Sequence, residues 1–288
     1  MIPGEFEYHA PSSVQDAVAL LAKHRDEAKI LAGGQSLIPA MRFRLAAPEI
    51  LIDLNGIGGL DQLEEQGSEL CIGAMTRESA LEESDLVQKR YPLLADAAAV
   101  IADPVVRNMA TVGGNVAHAD PANDHPAVML AYGATVYAEG PKGKRSIAID
   151  DFFLDLFENA LEIDEILTEL RIPAPTKGSG GAYMKLERKV GDYAISGVAV
   201  QLVMDGSTCK DVRIGLTNVS PAPMRAKNAE QELIGKAVDA AAIAAAAKAA
   251  AGECDPSADL RGGVDYKRDM TRVLTERALV RAVERSKE

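Results

Sequence analysis

The sequence predicts a mixed fold, α+β or α/β, in two domains. Short apolar runs alternate with short amphipathic stretches through most of the chain. A Pro- and Gly-rich segment, Pro173 to Gly181, interrupts the pattern, and three strand-like runs followed by helical ones occupy what remains. A chain of 288 residues is long enough for about two domains with sizeable cores. The interruption places them at residues 1–175 and 176–288.

Pro11, Ser12 and Ser13 ahead of Asp16 mark a helix start, with Val14, Ala17, Val18, Leu20 and Leu21 as its apolar face. Ala28 to Ala32 is a buried strand running into Gly33-Gly34, after which Ser36 is placed to cap a helix through Ile38, Met41 and Leu45. Glu49 to Leu54 reads as a strand, and Leu60 to Glu64 with Glu69 to Ala74 as a hairpin about Gln66-Gly67-Ser68. Helical patterns at Glu78 to Leu81 and Leu93 to Ile101 precede a glycine-containing loop, and Ala127 to Ala131 is a short helix beyond it. Thr135 to Ala138 and Ser146 to Ile149 form a hairpin across Gly140 to Gly143; Glu165 to Ile172 is a strand stopped by Pro173. In the second domain, Ala182 to Lys189, Ala194 to Met204 and Lys210 to Leu216 predict a three-stranded antiparallel meander. Ala226 to Ile234, Val238 to Ala251 and Lys267 to Arg285 are helical. The alanine-rich middle one has high helix propensity, packs closely on its neighbours and is expected to end at Gly252.

Composition excludes several functions. Hydrophobic residues are 47% and charged residues 26%, the balance of a soluble globular chain. A net charge of −12 argues against nucleic acid, which needs a basic face. No other apolar run approaches spanning length, the alanine-rich stretch carries Asp239 and Lys248 and has residues too small for a lipid-facing span, and Met1 to Glu5 show no basic n-region or apolar h-region, so neither a membrane span nor a secretory signal is expected. Cys71, Cys209 and Cys254 are far apart and form no CxxC, which fits a cytoplasmic, reducing setting. Three thiols are too few for a four-cysteine iron–sulfur cluster.

Two segments share one grammar: Ala32-Gly33-Gly34-Gln35-Ser36 and Thr111-Val112-Gly113-Gly114-Asn115. Each sets paired glycines beside a hydroxyl and an amide. Glycines let backbone N–H groups approach an anion that a Cβ would hold off, so the pair predicts two jaws around one diphosphate. Neither segment has the G-x-G-x-x-G or Walker spacing. His118, Asp120, Asp124 and His125 have metal-ligand chemistry, but the same residues around Pro121 and Pro126 read better as loop-capping hydrogen bonds. Ser36 and Ser196 lack a nucleophile-elbow context, and no cysteine has a histidine nearby. From pattern alone, alternating Lys185, Glu187 and Lys189 read as the solvated face of a strand, with Gly191-Asp192 as a hairpin turn and Tyr193 exposed at its tip.

The two glycine segments and Asp124 resemble the flavin-binding subunits of molybdenum hydroxylases, above all the medium subunits of aerobic carbon monoxide dehydrogenases. Met1-Ile2-Pro3 with Phe6, Tyr8 and His9, Ile101 to Pro104, Tyr183 to Ala194, and Ile214 to Val219 fit the same family, in order along the whole chain. Related subunits serve dehydrogenases of nicotine, aromatic acids and purines, and Gln35 stands where the carbon monoxide enzymes carry His. The resemblance implies an α+β fold: a p-cresol methylhydroxylase-type FAD-binding domain of two α+β subdomains, then a C-terminal domain with a three-stranded antiparallel sheet and a helical bundle. It implies FAD, with the motifs Ala32 to Ser36 and Thr111 to Asn115 around the pyrophosphate. In it, the N–H groups of Gly33, Gly34, Gly113 and Gly114 and the hydroxyls of Ser36 and Thr111 donate, Ala32, Gln35 and Val112 complete the motifs, and Asn115 orients the loop or the ribityl chain. Asp124 matches a residue on a cofactor hydroxyl, Ile101 and Leu167 pack on the cofactor, Lys185 lies next to the flavin and Tyr193 covers a face of the ring. No residue of the chain is implied to act on the substrate or to hold a metal. The implied role is an oxidoreductase subunit that receives electrons from a small subunit with two [2Fe–2S] clusters, fed by a molybdenum-cofactor large subunit, and passes them to an external acceptor, a quinone. The assembly would be a dimer of heterotrimers, touching a membrane only peripherally through quinone use. The alternatives are a stand-alone FAD-dependent oxidoreductase and the FAD subunit of a dehydrogenase for N-heterocycles or aromatic substrates.

Overall fold

The computed structural model describes residues 2–287; Met1, which opens the N-terminal motif, and Glu288 lie outside the described residues. Its first unit is a three-stranded parallel sheet, order β1-β3-β2, from Glu7–His9 (β1), Ala28–Leu31 (β2) and Ile50–Asp53 (β3). Parallel neighbours need crossovers. Helix α1 (Val14–His24) provides one, begun where the Ser13 hydroxyl accepts from the N–H of Asp16 and held down by Ala17, Val18 and Leu21. Helix α2 (Leu37–Arg42) lies in the other. It ends a turn earlier than the apolar pattern predicts, because Arg44 turns to a φ of 59° and Leu45 swings out, 83% exposed. Ser36 stands at its N-cap position without a side-chain cap.

The second unit is a five-stranded antiparallel sheet, order β4-β5-β10-β6-β7. Its strands are Leu63–Gln66 (β4), Glu69–Gly73 (β5), Thr135–Gly140 (β6), Gly143–Ala148 (β7) and Ile166–Pro173 (β10), with a small separate hairpin at Phe153–Asp155 (β8) and Glu158–Asn159 (β9). Six helices connect β5 to β6: Glu78–Glu83 (α3), Asp85–Arg90 (α4), Pro92–Ala98 (α5), Pro104–Arg107 (α6), Val112–His118 (α7) and Asp124–Tyr132 (α8). α4, α6 and α7 are additions to the expected helices. Each is too short to show a period and is started by a side chain, from Ser84, Asp103 or Thr111, that accepts an N–H of the first turn. The second glycine pair therefore sits in the first turn of a helix and not in a loop.

The third unit is an antiparallel sheet of Ser179–Glu187 (β11), Ala194–Asp205 (β12), Thr208–Thr217 (β13) and Met224–Arg225 (β14). The expected meander is β11 to β13; the fourth strand is two residues against Gly215 and Leu216, too brief for any alternation to reveal. Lys227–Gln231 (α9), Ala240–Glu253 (α10) and Val264–Arg285 (α11) follow. α10 runs through Gly252, and the turn to extended backbone comes at Cys254. Its buried Ala246 and Ala250 share a core with Leu274, Ala278 and Ala282 of α11.

α8 joins the last two units. Every residue of it is buried, and its core cluster includes Leu170 of β10 as well as Tyr183 of β11 and Ala199 of β12. The strand above comes so close that a Cβ on Gly215 would collide with the carbonyl of Ala127. That burial fixes the position of Asp124, the first residue of the helix.

Candidate cofactor-binding site

A cavity of about 730 Å³ runs between the three units, lined by segments of each. Its first wall is the turn after β2. Gly34 has a φ of 72°, and the N–H groups of Gly33, Gly34, Gln35, Ser36 and Leu37 have no acceptor among the described residues. Successive N–H groups around a positive-φ residue form a concave anion-binding nest, here at the mouth of a helix. Gln35 folds back, its Nε2 3.5 Å from the Gly33 carbonyl oxygen. All five residues line the cavity, as does Ala32.

The second glycine segment contributes differently from the first. The N–H of Val112 donates to Thr76, that of Gly113 to Ala74, that of Gly114 to the Thr111 hydroxyl and that of Asn115 to the Thr111 carbonyl. The first two dock the start of α7 on the chain beyond β5 and the last two begin the helix, so the expectation of two jaws of free N–H groups is corrected: those of Gly33 to Leu37 are unpaired and those of Val112 to Asn115 are paired. A Cβ on Gly113 would lie 2.6 Å from Cα of Ala74, so this glycine lets α7 sit on β5. A Cβ on Gly114 would lie 2.7 Å from the Thr111 hydroxyl, so its first conflict is with the helix cap. Val112 is fully buried in the core below and does not line the cavity, whereas Thr111, Gly113, Gly114 and Asn115 do.

Two residues that the sequence did not single out tie the walls together. Asn55 donates through Nδ2 to the carbonyl of Ala32 (2.9 Å) and accepts from Arg77 Nη2 (2.6 Å), while Arg77 Nη1 donates to the carbonyl of Met109. Gly33 packs directly under that carbonyl, where a Cβ would collide. A lone Asn and Arg far apart in sequence carry no local signal for such a bridge.

At another wall, Asp124 and Lys185 meet. Lys185 Nζ donates to Asp124 Oδ2 (3.0 Å) and to the Val100 carbonyl (3.0 Å) and lies 3.5 Å from Glu187, its side chain only 2% exposed. The solvated-face reading of Lys185 is thus overturned: the strand lies over α8, and the ammonium is buried because a buried carboxylate awaits it. Tyr183 donates its hydroxyl to Asp124 Oδ1 (2.6 Å), a partner the sequence did not indicate. Burial pushes the Asp124 carboxyl above its ordinary range, against the pull of Lys185 and Tyr183. Burial, then Asp124, drive the Tyr183 phenol far up, so it stays a donor. Ile101 and Leu167 line the cavity with apolar surface; Leu167 stands at a bulge in β10. Buried Arg107 holds the carbonyls of Ile101 (2.9 Å) and Ala102 (3.2 Å). Tyr193, 44% exposed, lines the mouth.

The acidic-histidine segment is pulled apart. His125 is fully buried against Glu78 (2.7 Å), and His118 packs on Phe157 in the cavity wall, burial pushing its pKa down. Among the described residues no group of three His, Cys, Asp or Glu could hold a metal ion.

The site's chemistry suits a long, two-ended anionic cofactor: a nest for phosphate charge, apolar walls, and a buried acceptor, Asn115 Oδ1, that aims at no described partner. A family model described as the FAD binding domain in molybdopterin dehydrogenase matches residues 4–175. The chain belongs to that family. A second model, the CO dehydrogenase flavoprotein C-terminal domain, matches residues 181–282. The carbon monoxide dehydrogenase medium chain of Hydrogenophaga pseudoflava is 50% identical over 97% of this chain and 97% of its own length. The medium chain from Afipia carboxidovorans is 46% identical over all of both chains. The solved carbon monoxide dehydrogenase of Hydrogenophaga pseudoflava that lacks the Mo-pyranopterin moiety superposes with a TM-score of 0.97, at 51% identity over 99% of each chain. The family makes the chain an oxidoreductase flavoprotein with FAD as its cofactor, and its fold is the FAD-binding plus C-terminal flavoprotein arrangement expected from the motifs.

Proposed function

We propose that the chain is the FAD-carrying relay of a molybdenum hydroxylase complex of the carbon monoxide dehydrogenase type. The observation that carries this is the nest of five unpaired N–H groups at Gly33 to Leu37, in one cavity with Asn115 and tied through Asn55 and Arg77 to the Met109 carbonyl ahead of α7. The nest holds the diphosphate, with the Ser36 and Thr111 hydroxyls available as donors, since Thr111 uses only its oxygen in the helix cap. Asn115 offers its unpaired oxygen to a cofactor hydroxyl, Asp124 lies in the wall for another, and Ile101 and Leu167 exclude water. Lys185 puts a buried positive charge in the wall, which favours negative charge arriving on a bound group. Tyr193 closes the mouth.

FAD, when bound, exchanges electrons singly with [2Fe–2S] clusters of a small partner subunit and in pairs with an external acceptor, a quinone. The clusters are fed by a molybdenum-cofactor large subunit, the assembly is a dimer of heterotrimers in the cytoplasm, and the domains divide at residue 175. No helix of the described residues is long and apolar enough to cross a membrane; in this reading the quinone is met at the membrane periphery. Identities of 46% and 50% to carbon monoxide enzymes support carbon monoxide as the substrate of the complex over an N-heterocycle or aromatic acid.

Two measurements test this reading. Acid precipitation of the purified complex should release all of its flavin as FAD. In rapid mixing, a complex stripped of this chain should still reduce its molybdenum and iron–sulfur centres with carbon monoxide but lose turnover with quinone, which the FAD-loaded chain restores. Full turnover by the isolated chain alone would show a stand-alone enzyme and defeat the relay.

A further inference from the structure

Tyr193 is not held by its own hairpin alone. Arg261, in the loop between α10 and α11, reaches across to the β11–β12 turn. Its Nη2 and Nε donate to Asp192 Oδ1 (2.7 and 3.2 Å), and its guanidinium lies 5.5 Å from the centroid of the Tyr193 ring. Asp192 Oδ1 also accepts the N–H of Tyr193 (2.9 Å), so one carboxylate oxygen links the arginine to the backbone of the tyrosine. Asp192 is buried, and the Arg261 hydrogen bond holds its carboxyl below its ordinary pKa. Gly191 has a φ of 82° and packs 3.0 Å (measured from an added Cβ) from the carbonyl of Ala102, beside cavity-lining Ile101.

The arginine is itself anchored. Asp259 Oδ1 accepts the N–H groups of Arg261 (2.7 Å) and Gly262 (3.0 Å), and Asp259 Oδ2 accepts from Lys267 Nζ (2.8 Å). Lys267 is almost wholly buried in α11. Tyr193 and Asp192 line the cavity; Arg261, Asp259 and Lys267 do not.

We propose that Arg261 is a positioning residue for the cofactor site: braced by Asp259 and Lys267, it clamps Asp192 and the Tyr193 ring, and so sets how the mouth of the cavity closes on FAD. The inference rests on the flavin reading of that cavity. Without the clamp, Tyr193 keeps its place in the chain but gains rotamer freedom. Bound flavin should then be lost faster and be less shielded.

The experiment uses the complex as purified, for wild type, Arg261→Met and Arg261→Lys. Met keeps the apolar stem and removes the charge; Lys restores the ion pair with Asp192 but not the planar contact with Tyr193. FAD is removed by salt and titrated back, with flavin fluorescence, the visible circular dichroism of bound flavin and the thermal midpoint read on each sample. Arg261→Met is expected to weaken FAD binding about tenfold or more and to change bound-flavin fluorescence and dichroism, with Arg261→Lys between it and wild type. A merely structural role would lower the thermal midpoint and leave the spectrum of bound flavin unchanged; that result overturns the proposal. So does wild-type affinity in Arg261→Met. Wild type that takes up no FAD defeats the flavin reading itself, and this inference with it.

Discussion

His125 and Glu78 form a fully buried pair one residue from cavity-lining Asp124, with His125 Nδ1 and Glu78 Oε1 left unpaired. Burial works against a charged imidazole, but the Glu78 carboxylate outweighs it, so the His125 pKa is raised above 6.5. The sign follows directly: the stability this pair contributes is full below pH 6.5 and is lost as pH rises through the folded-state pKa. Glu78→Gln should therefore cost about 3–5 kcal/mol near pH 6, and the gap to wild type should shrink as the pH is raised from there through the folded-state pKa of His125. Urea unfolding of both proteins across that range checks it, and a gap independent of pH would mean that His125 does not titrate against Glu78. Lys185 teaches the same physics at the cavity wall. Its alternation with Glu187 and Lys189 looks like a wet strand face, yet the acid it needs is Asp124, far away in sequence.

Among elements, α7 depends on one hydroxyl. Thr111 accepts the N–H of Gly114 (3.2 Å) and its carbonyl accepts the N–H of Asn115 (2.9 Å), so a seven-residue helix with two glycines in its first turn has a fixed start. Thr111→Val should cost about 1 kcal/mol. Gly114→Ala places its Cβ against the same hydroxyl and should break the same cap, so the double variant should lose less than the two single losses added together. A double-mutant cycle by denaturant unfolding gives the answer; simple additivity would show that the glycine and the cap act independently. The first jaw behaves otherwise, because the N–H groups from Gly33 to Leu37 remain free where those from Val112 to Asn115 are consumed.

For the whole molecule, Asp96 of α5 clamps the ends together. It accepts from Arg281 Nη2 (3.1 Å) and Arg285 (2.6 and 3.0 Å) at the far end of α11 and from the N–H of Tyr183 (3.2 Å) on β11. β11 carries both Tyr183 and Lys185, so this one carboxylate ties the last helix, the C-terminal sheet and the cavity wall into one body. Asp96→Ala should destabilise the chain by about 1.5–3 kcal/mol per charged hydrogen bond lost, less whatever water recovers. Native-state hydrogen exchange should accelerate at the Tyr183 amide and in the last turns of α11. Unchanged protection at both places would show that the units hold together without the clamp.

The sequence by itself determined most strands, the long helices and the two glycine segments, because these follow from local periodicity, capping chemistry and the glycine needed for a positive φ, as at Gly34. Through the motif resemblance it also pointed to FAD. The short helices α4, α6 and α7 escaped it, since a side-chain cap starts each and no apolar period is long enough to announce it. Only the tertiary structure decided which N–H groups of the two glycine segments stay free, since those of Val112 and Gly113 find their acceptors at Thr76 and Ala74, beyond the end of β5. It alone buried Lys185 on Asp124, joined Asn55 to Arg77 between the jaws and brought Arg261 over Tyr193. Each of these is a pairing of charges or polar groups across long stretches of chain, and desolvation enforces it once packing has brought the partners together.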